Sequence, residues 1–204
     1  QALGHEAAML VAHKSGSNDA VYIVKPQWRL KAAFMAEHLR ILAGNGLNRA
    51  DMFKVSIATD GMPLAEHPLV RQADGIILNW INQGMLSLDE ISRIAASKPT
   101  IWTMHDMWNL TGICHHAATC RAFTKEPGCG NCPFLHSRVG DKDLSRRTWQ
   151  RKKTLYDNSG IRFVAVSSWL KKLCDESSLM AGREISLIPN AFPVEDFYIE
   201  SKGT

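Results

Sequence analysis

The sequence predicts an α/β fold built on a doubly wound parallel sheet. Short apolar runs within residues 74–80, 100–104 and 162–166 alternate with segments whose apolar residues recur at helical spacing. Strands that are apolar throughout belong in a parallel sheet covered on both faces. With 204 residues the chain can fill one core, or at most one domain with appendages.

The elements follow in order. Residues 1–6 read as a helix end stopped at Gly4, so an earlier strand and most of a helix are expected upstream of Gln1. Residues 7–13 read as a buried strand, 14–20 as a polar loop and 21–25 as a second short strand. Residues 28–43 carry Leu30, Phe34, Leu39 and Leu42 at helical spacing and stop at Gly44-Asn45-Gly46. Residues 53–58 read as a strand, and His67-Pro68 opens a short helix to Gln72. In the second half, residues 74–80 form a strand, and 88–97 a helix with Ser87 as N-cap and Glu90 completing a capping box. A strand over 100–104 enters through Pro99. A helix over 143–156, a strand over 162–166, a Ser167-capped helix to 176 and a last strand over 184–188 complete the set.

Composition narrows the classes of function. The chain is 45% hydrophobic and 22% charged, ordinary for a globular protein, with a formal charge of +4. No apolar run approaches the roughly 20 residues that span a bilayer. No basic-then-apolar leader opens the chain, so the expected compartment is the cytoplasm. Nucleic-acid binding calls for basic and aromatic residues gathered on one face. Only Arg146, Arg147, Arg151, Lys152 and Lys153 come close, and they read as a solvated helix face or a peripheral membrane contact; no nucleic-acid partner is expected.

In doubly wound sheets the ligand crevice lies beyond the carboxyl ends of the strands. Three such ends are informative. His105 and Asp106 follow the 100–104 strand, where a histidine and a carboxylate can orient a hydroxyl or take a proton; a hydrogen-bonded loop cap is the competing role. Asn79 and Trp80 follow the 74–80 run, and Trp108 lies shortly after Asp106. An amide and an indole suit a sugar's hydroxyl edge and apolar face, although most of the six tryptophans are expected in the core. Ser167 begins a helix whose free N–H groups can hold an anion, or it is an ordinary N-cap.

Four of the five cysteines, Cys114, Cys120, Cys129 and Cys132, form a C-x5-C-x8-C-x2-C pattern, with His115 and His116 beside the first. The Cys129–Cys132 pair matches the knuckle of structural zinc sites. Such a site would staple the long loop over residues 112–139. Buried or paired thiols and a redox dithiol are the alternatives. Cys174 lies on a helix and reads as core.

The run Thr103-Met104-His105-Asp106-Met107-Trp108, then Thr111-Gly112, Cys114-His115 and Cys129-Gly130-Asn131-Cys132-Pro133, resembles bacterial glycosyltransferases of family 4. These make capsular, exo- or lipopolysaccharides. Val166-Ser167-Ser168-Trp169-Leu170 and Ile188-Pro189-Asn190 are similar to that family's strand–helix turn and inter-domain linker, and the resemblance is strongest over residues 73–192.

The resemblance implies the N-terminal, acceptor-side half of a GT-B enzyme, a Rossmann-like domain over residues 1–188 with the Cys-containing loop 112–139 inserted and a linker over 189–204. It implies hexose transfer, normally retaining, from a nucleotide-diphosphate sugar to a saccharide or lipid-linked acceptor. No cofactor is required for transfer, structural zinc apart. The donor half would lie downstream of Thr204, and the family's first strand and glycine-rich loop upstream of Gln1. His105 matches the family's cleft histidine, and Asp106 would orient it or bond the acceptor. Asn79 departs from the expected histidine, and Ala191 from the usual linker glycine. The second class of function weighed against this is a non-catalytic, zinc-stapled interaction module docking a membrane or protein partner.

Overall fold

The computed structural model describes residues 4–136 and 143–191. The chain is mixed α/β. Its strands are β1 (Met9–Val11), β2 (Val21–Ile23), β3 (Ile76–Leu78), β4 (Thr100–Met104), β5 (Arg162–Ala165) and β6 (Ile185–Leu187). Its helices are α1 (Gln27–Gly44), α2 (Pro68–Gln72), α3 (Leu88–Ser97), α4 (Leu144–Asp157) and α5 (Ser168–Glu176). Strands β3 to β6 make a four-stranded parallel sheet in sequential order, and β1 and β2 pair parallel as a separate ribbon.

Parallel neighbours advancing in one direction through right-handed crossovers lay their connecting helices on one face. Leu78, Trp102, Met104, Phe163 and Ala165 are buried, and Tyr156 of α4 meets Trp102 and Phe163 edge-on at 6.2 and 4.9 Å. Ile77 and Ile101, partners in register, are 65% and 38% exposed. Strands β3 and β4 therefore have one exposed face rather than being buried on both sides, whereas β5 is buried continuously over Phe163, Val164 and Ala165 as its apolar sequence implied. The parallel α/β class holds, compatible with a Rossmann-like sheet.

Helix starts follow the expected chemistry. Ser87 Oγ accepts from Glu90 N at 3.1 Å, Ser167 Oγ from Leu170 N at 3.2 Å, and Asp143 from Ser145 N and Arg146 N. The capping box is only half made. Glu90 turns away from Ser87, and its Oε1 accepts from Ala65 N at 2.6 Å while Oε2 binds Arg93.

Four expectations are corrected. The first strand is shorter than residues 7–13 and is not buried; Met9 is 50% exposed. Residues 53–58 do not form a strand. Met52–Lys54 is a 3-10 turn, and the N–H groups of Ile57 and Ala58 both go to the buried Glu37 carboxylate of α1, at 2.7 and 2.8 Å. Ala58 sits in the left-handed region (φ 45°), which interrupts an extended run. Leu39, read into the α1 core stripe, faces solvent, and the buried residues of α1 are Leu30, Glu37 and Ile41.

The fourth correction concerns α4. Its buried stripe is Ser145, Thr148, Trp149, Lys152, Leu155 and Tyr156, so Lys152 is internal and the basic face is smaller than read. Arg151 and Lys153 are engaged with Asp89 and Asp157. No helix among the described residues is long and apolar enough to cross a membrane. Residues 137–139 of the loop call and most of the 189–204 linker call lie outside the described residues.

Candidate functional site

The sheet delivers its polar groups at the carboxyl ends of β3 and β4. Leu78 pairs in register with Trp102, so Asn79 and His105 emerge side by side beyond these strands. His105 Nε2 donates to Asn79 Oδ1 at 3.1 Å, which leaves Nδ1 of a neutral ring as the acceptor, and both residues are exposed. One residue further along each strand, Trp80 Nε1 donates to Asp106 Oδ2 at 3.0 Å. Asp106 Oδ1 accepts from Trp108 N at 2.8 Å, capping the turn.

A second segment completes the arrangement. Residues 113–115 run antiparallel to 54–56 through the Val55–Cys114 bridge, with Ser56 N donating to Ile113 O at 2.8 Å and His115 N to Lys54 O at 3.2 Å. This pairing sets His115 between two partners. Its Nδ1 meets Asp106 Oδ2 at 2.7 Å, and its Nε2 meets Ser56 Oγ at 3.0 Å. With Nδ1–H given to the carboxylate, the neutral ring accepts the Ser56 hydroxyl proton at Nε2.

Burial of Asp106 works against ionisation, but the hydrogen bonds from His115, Trp108 N and Trp80 Nε1 outweigh it. The carboxyl is held below its ordinary value and stays ionised near neutrality. The group lines a cleft of about 200 Å³ with Ser56, Trp80, His115, His38 and Phe53. The Trp80 and His115 rings are 5.7 Å apart.

The Ser56–His115–Asp106 order is that of an acyl-transfer triad, but the surroundings are wrong for one. The neighbouring N–H groups that would stabilise an oxyanion are committed: Ser56 N to Ile113 O, and Ile57 N and Ala58 N to the Glu37 carboxylate. What remains is a carboxylate–imidazole pair, a hydroxyl and a half-exposed indole, a set that binds and orients hydroxyl groups.

The other expected site residues lie elsewhere. Trp108 is 1% exposed, with Nε1 donating to Ser56 O at 2.9 Å, so its ring is core and Trp80 alone presents an indole to the cleft. The Ser167 hydroxyl is taken up by the α5 cap, and Ser167 does not line the cleft. Beside it the exposed Trp169 stacks on His116 at 6.2 Å and 11°.

Ser56, His38 and the cleft role of His115 were not read from the sequence, which offered His115 only as a neighbour of Cys114. The signal was weak, since residues 54–56 and 113–115 are brought together by long-range pairing.

All five cysteines are free, and Cys174 is core, fully buried. Cys114, Cys120, Cys129 and Cys132 line one apolar cavity of about 20 Å³. Among the described residues, no three His, Cys, Asp or Glu side chains already stand in metal-holding geometry. Burial pushes the Cys129 thiol up to about 11 and Cys132 to about 12. That runs against the redox dithiol, which needs an accessible thiol of lowered pKa.

In comparisons with known proteins, no family model, no curated protein and no solved structure matches this chain.

Proposed function

We propose that this chain is the acceptor-side, Rossmann-like domain of a GT-B glycosyltransferase. The enzyme would transfer a hexose from a nucleotide-diphosphate sugar to a saccharide or lipid-linked acceptor during synthesis of a surface polysaccharide. The observation that carries the reading is the cluster of Trp80, Asp106 and His115 around one small cleft; the His105–Asn79 pair stands at the neighbouring strand ends, outside the cleft's lining. The motif resemblance to family 4 glycosyltransferases supports it from the same residues.

At about 200 Å³ the cleft is below the roughly 300–1,000 Å³ usual for ligand pockets, a size that suits one sugar ring better than a nucleotide. Trp80 offers the apolar face of that ring a surface. Asp106, ionised, and His115, its Nε2 shared with Ser56, offer acceptors for the acceptor hydroxyl. His105, held by Asn79, faces the transferring sugar. Support for the departing nucleoside diphosphate falls to a second domain, the donor half.

The test uses the complete enzyme with its polysaccharide acceptor. His105→Ala and Asp106→Asn are expected to lower kcat/KM for the acceptor by about 10²-fold or more while leaving donor binding unchanged. Unchanged polymer synthesis with His105→Ala favours the interaction-module reading instead. Tight nucleotide-sugar binding by this chain alone overturns the division of labour.

A further inference from the structure

The loop after β4 carries four cysteines, and the glycosyl-transfer reading uses none of them. Cys114, Cys129 and Cys132 are 7–8% exposed and Cys120 is half-buried, and they share one apolar cavity with Phe123 and Ile113. That cavity, about 20 Å³, is on the scale of a single small occupant. Two further observations point to a charged one. Gly112 N donates to Cys129 Sγ at 3.1 Å, the kind of N–H bond that supports a ligating thiolate. Lys152 is fully buried beneath the loop, its Nζ donating to Trp108 O at 2.5 Å and Thr111 O at 3.2 Å, and it lies 3.3 Å from the Trp108 ring centroid.

A buried ammonium with only carbonyls and a ring for company is costly. Among the described residues no carboxylate forms an ion pair with it. The ionisable groups within electrostatic reach of Lys152 are Cys114, Cys129 and Asp106. Burial pulls the Lys152 ammonium well below its ordinary value, with Cys114, Cys129 and Asp106 pulling the other way. Four thiolates on one divalent zinc leave a net negative charge, which would favour the ammonium at this position.

We propose that Cys114, Cys120, Cys129 and Cys132 bind one structural zinc ion, with Gly112 N–H bonding the Cys129 sulfur and Lys152 as the buried counter-charge. The four thiols share one cavity without standing in metal-holding geometry, so binding requires them to close on the ion, which displaces their protons. A fully thiolate set leaves no open position, so the ion is structural. Cys114 is the link to the cleft, because its backbone lies in the pairing that carries His115 to Ser56 and Asp106. The zinc is thus the fastener of the loop that supplies half of the polar cluster. This inference stands apart from the glycosyl-transfer reading, since its test needs no activity.

The test is metal analysis of the complete protein purified without chelator, with X-ray absorption at the zinc edge. The expected result is one zinc per chain with four sulfur neighbours at about 2.3 Å. Cys129→Ser and Cys132→Ser should each abolish stoichiometric retention. Lys152→Met should weaken zinc affinity about 10-fold or more, as loss of an outer partner does. If the cysteine variants fail to fold, the wild-type measurement decides alone. Metal-free protein whose four thiols are free or disulfide-linked by intact mass overturns the proposal, and unaltered zinc affinity in Lys152→Met overturns the counter-charge assignment.

Discussion

The carboxylate of Asp106 holds the cleft together, and Asp106→Asn tests that directly. Oδ1 accepts from Trp108 N at 2.8 Å, and Oδ2 accepts from Trp80 Nε1 at 3.0 Å and His115 Nδ1 at 2.7 Å. An amide of the same shape has one acceptor oxygen. If that oxygen keeps Trp80 and His115, the amide NH2 confronts the Trp108 N–H; turned over, it confronts the other two donors. One hydrogen bond to a charged group, worth about 1.5–3 kcal/mol, is lost and the rest are weakened. Because the side chain is 26% exposed, water recovers part of this, and the net expectation is a loss of about 2 kcal/mol at neutral pH. The pH dependence fixes the cause. The folded carboxyl lies below its ordinary 3.8, so its stabilisation is fully present above that value and disappears as pH falls through the lower folded value. Asparagine does not titrate, so the gap between wild type and variant should close in acid. Urea unfolding followed by tryptophan fluorescence at a series of pH values measures it. A gap that persists unchanged into acid, or one below about 0.5 kcal/mol at neutrality, refutes the reasoning, since it means that these bonds do not hold in solution.

Three further substitutions probe the packing of the cysteine loop and the cleft with the same assay. Gly128 has φ +80°, and a Cβ there would lie 2.1 Å from Trp149 Cε2, so Gly128→Ala combines left-handed strain with overpacking for an expected loss of about 2–5 kcal/mol. A loss under about 1 kcal/mol would show that the loop does not rest on Trp149. Trp108→Ala should cost about 3–5 kcal/mol and Trp80→Ala under about 1, because the first ring is buried and the second is 47% exposed. Equal losses would overturn the assignment of one ring to the core and the other to the cleft.

The parts of the fold that the sequence made legible are those decided locally. α3 and β4 match residue for residue, because Ser87 and Pro99 mark their starts and each has a single period. The misreadings share a cause, a distant partner. Residues 53–58 look like a strand until Glu37 on α1 takes two of their N–H groups. Apolar content over residues 7–13 predicted burial, yet β1 pairs only with β2 and is at most half-buried. Lys152 was legible in hindsight, since it shares a helical phase with Trp149 and Tyr156, and that phase outweighs its charge once two carbonyls receive the ammonium. The positions of His105, Asp106, Asn79 and Trp80 at the strand ends were legible because strand ends can be located from apolar runs. Ser56 and His115 were not, because their meeting depends on an antiparallel contact between segments far apart in sequence.

That division has a physical consequence for the site. Asn79, Trp80, His105 and Asp106 stand at the ends of paired strands, so their backbone order comes with the sheet. His115 comes from a loop with little regular structure, and ordering such backbone costs about 1–2 kcal/mol per residue. Its described fastenings include the ladder to residues 54–56, Met107 N on His115 O at 3.0 Å, the Gly112–Cys129 bond, Cys132 N on the Asp143 carboxylate at 3.0 Å, Ser178 on Phe123 O, and Lys152 beneath. Outside the loop these bonds run to the turn after β4, to the 54–56 segment and to helices and their flanks rather than to the strands themselves. The loop can therefore loosen without unfolding the sheet, and the first observable to respond would be the Asp106–His115 bond rather than global stability. If the proposed zinc is bound there, it would couple the integrity of the loop to the position of one imidazole, because Cys114 lies in the same short pairing that carries His115.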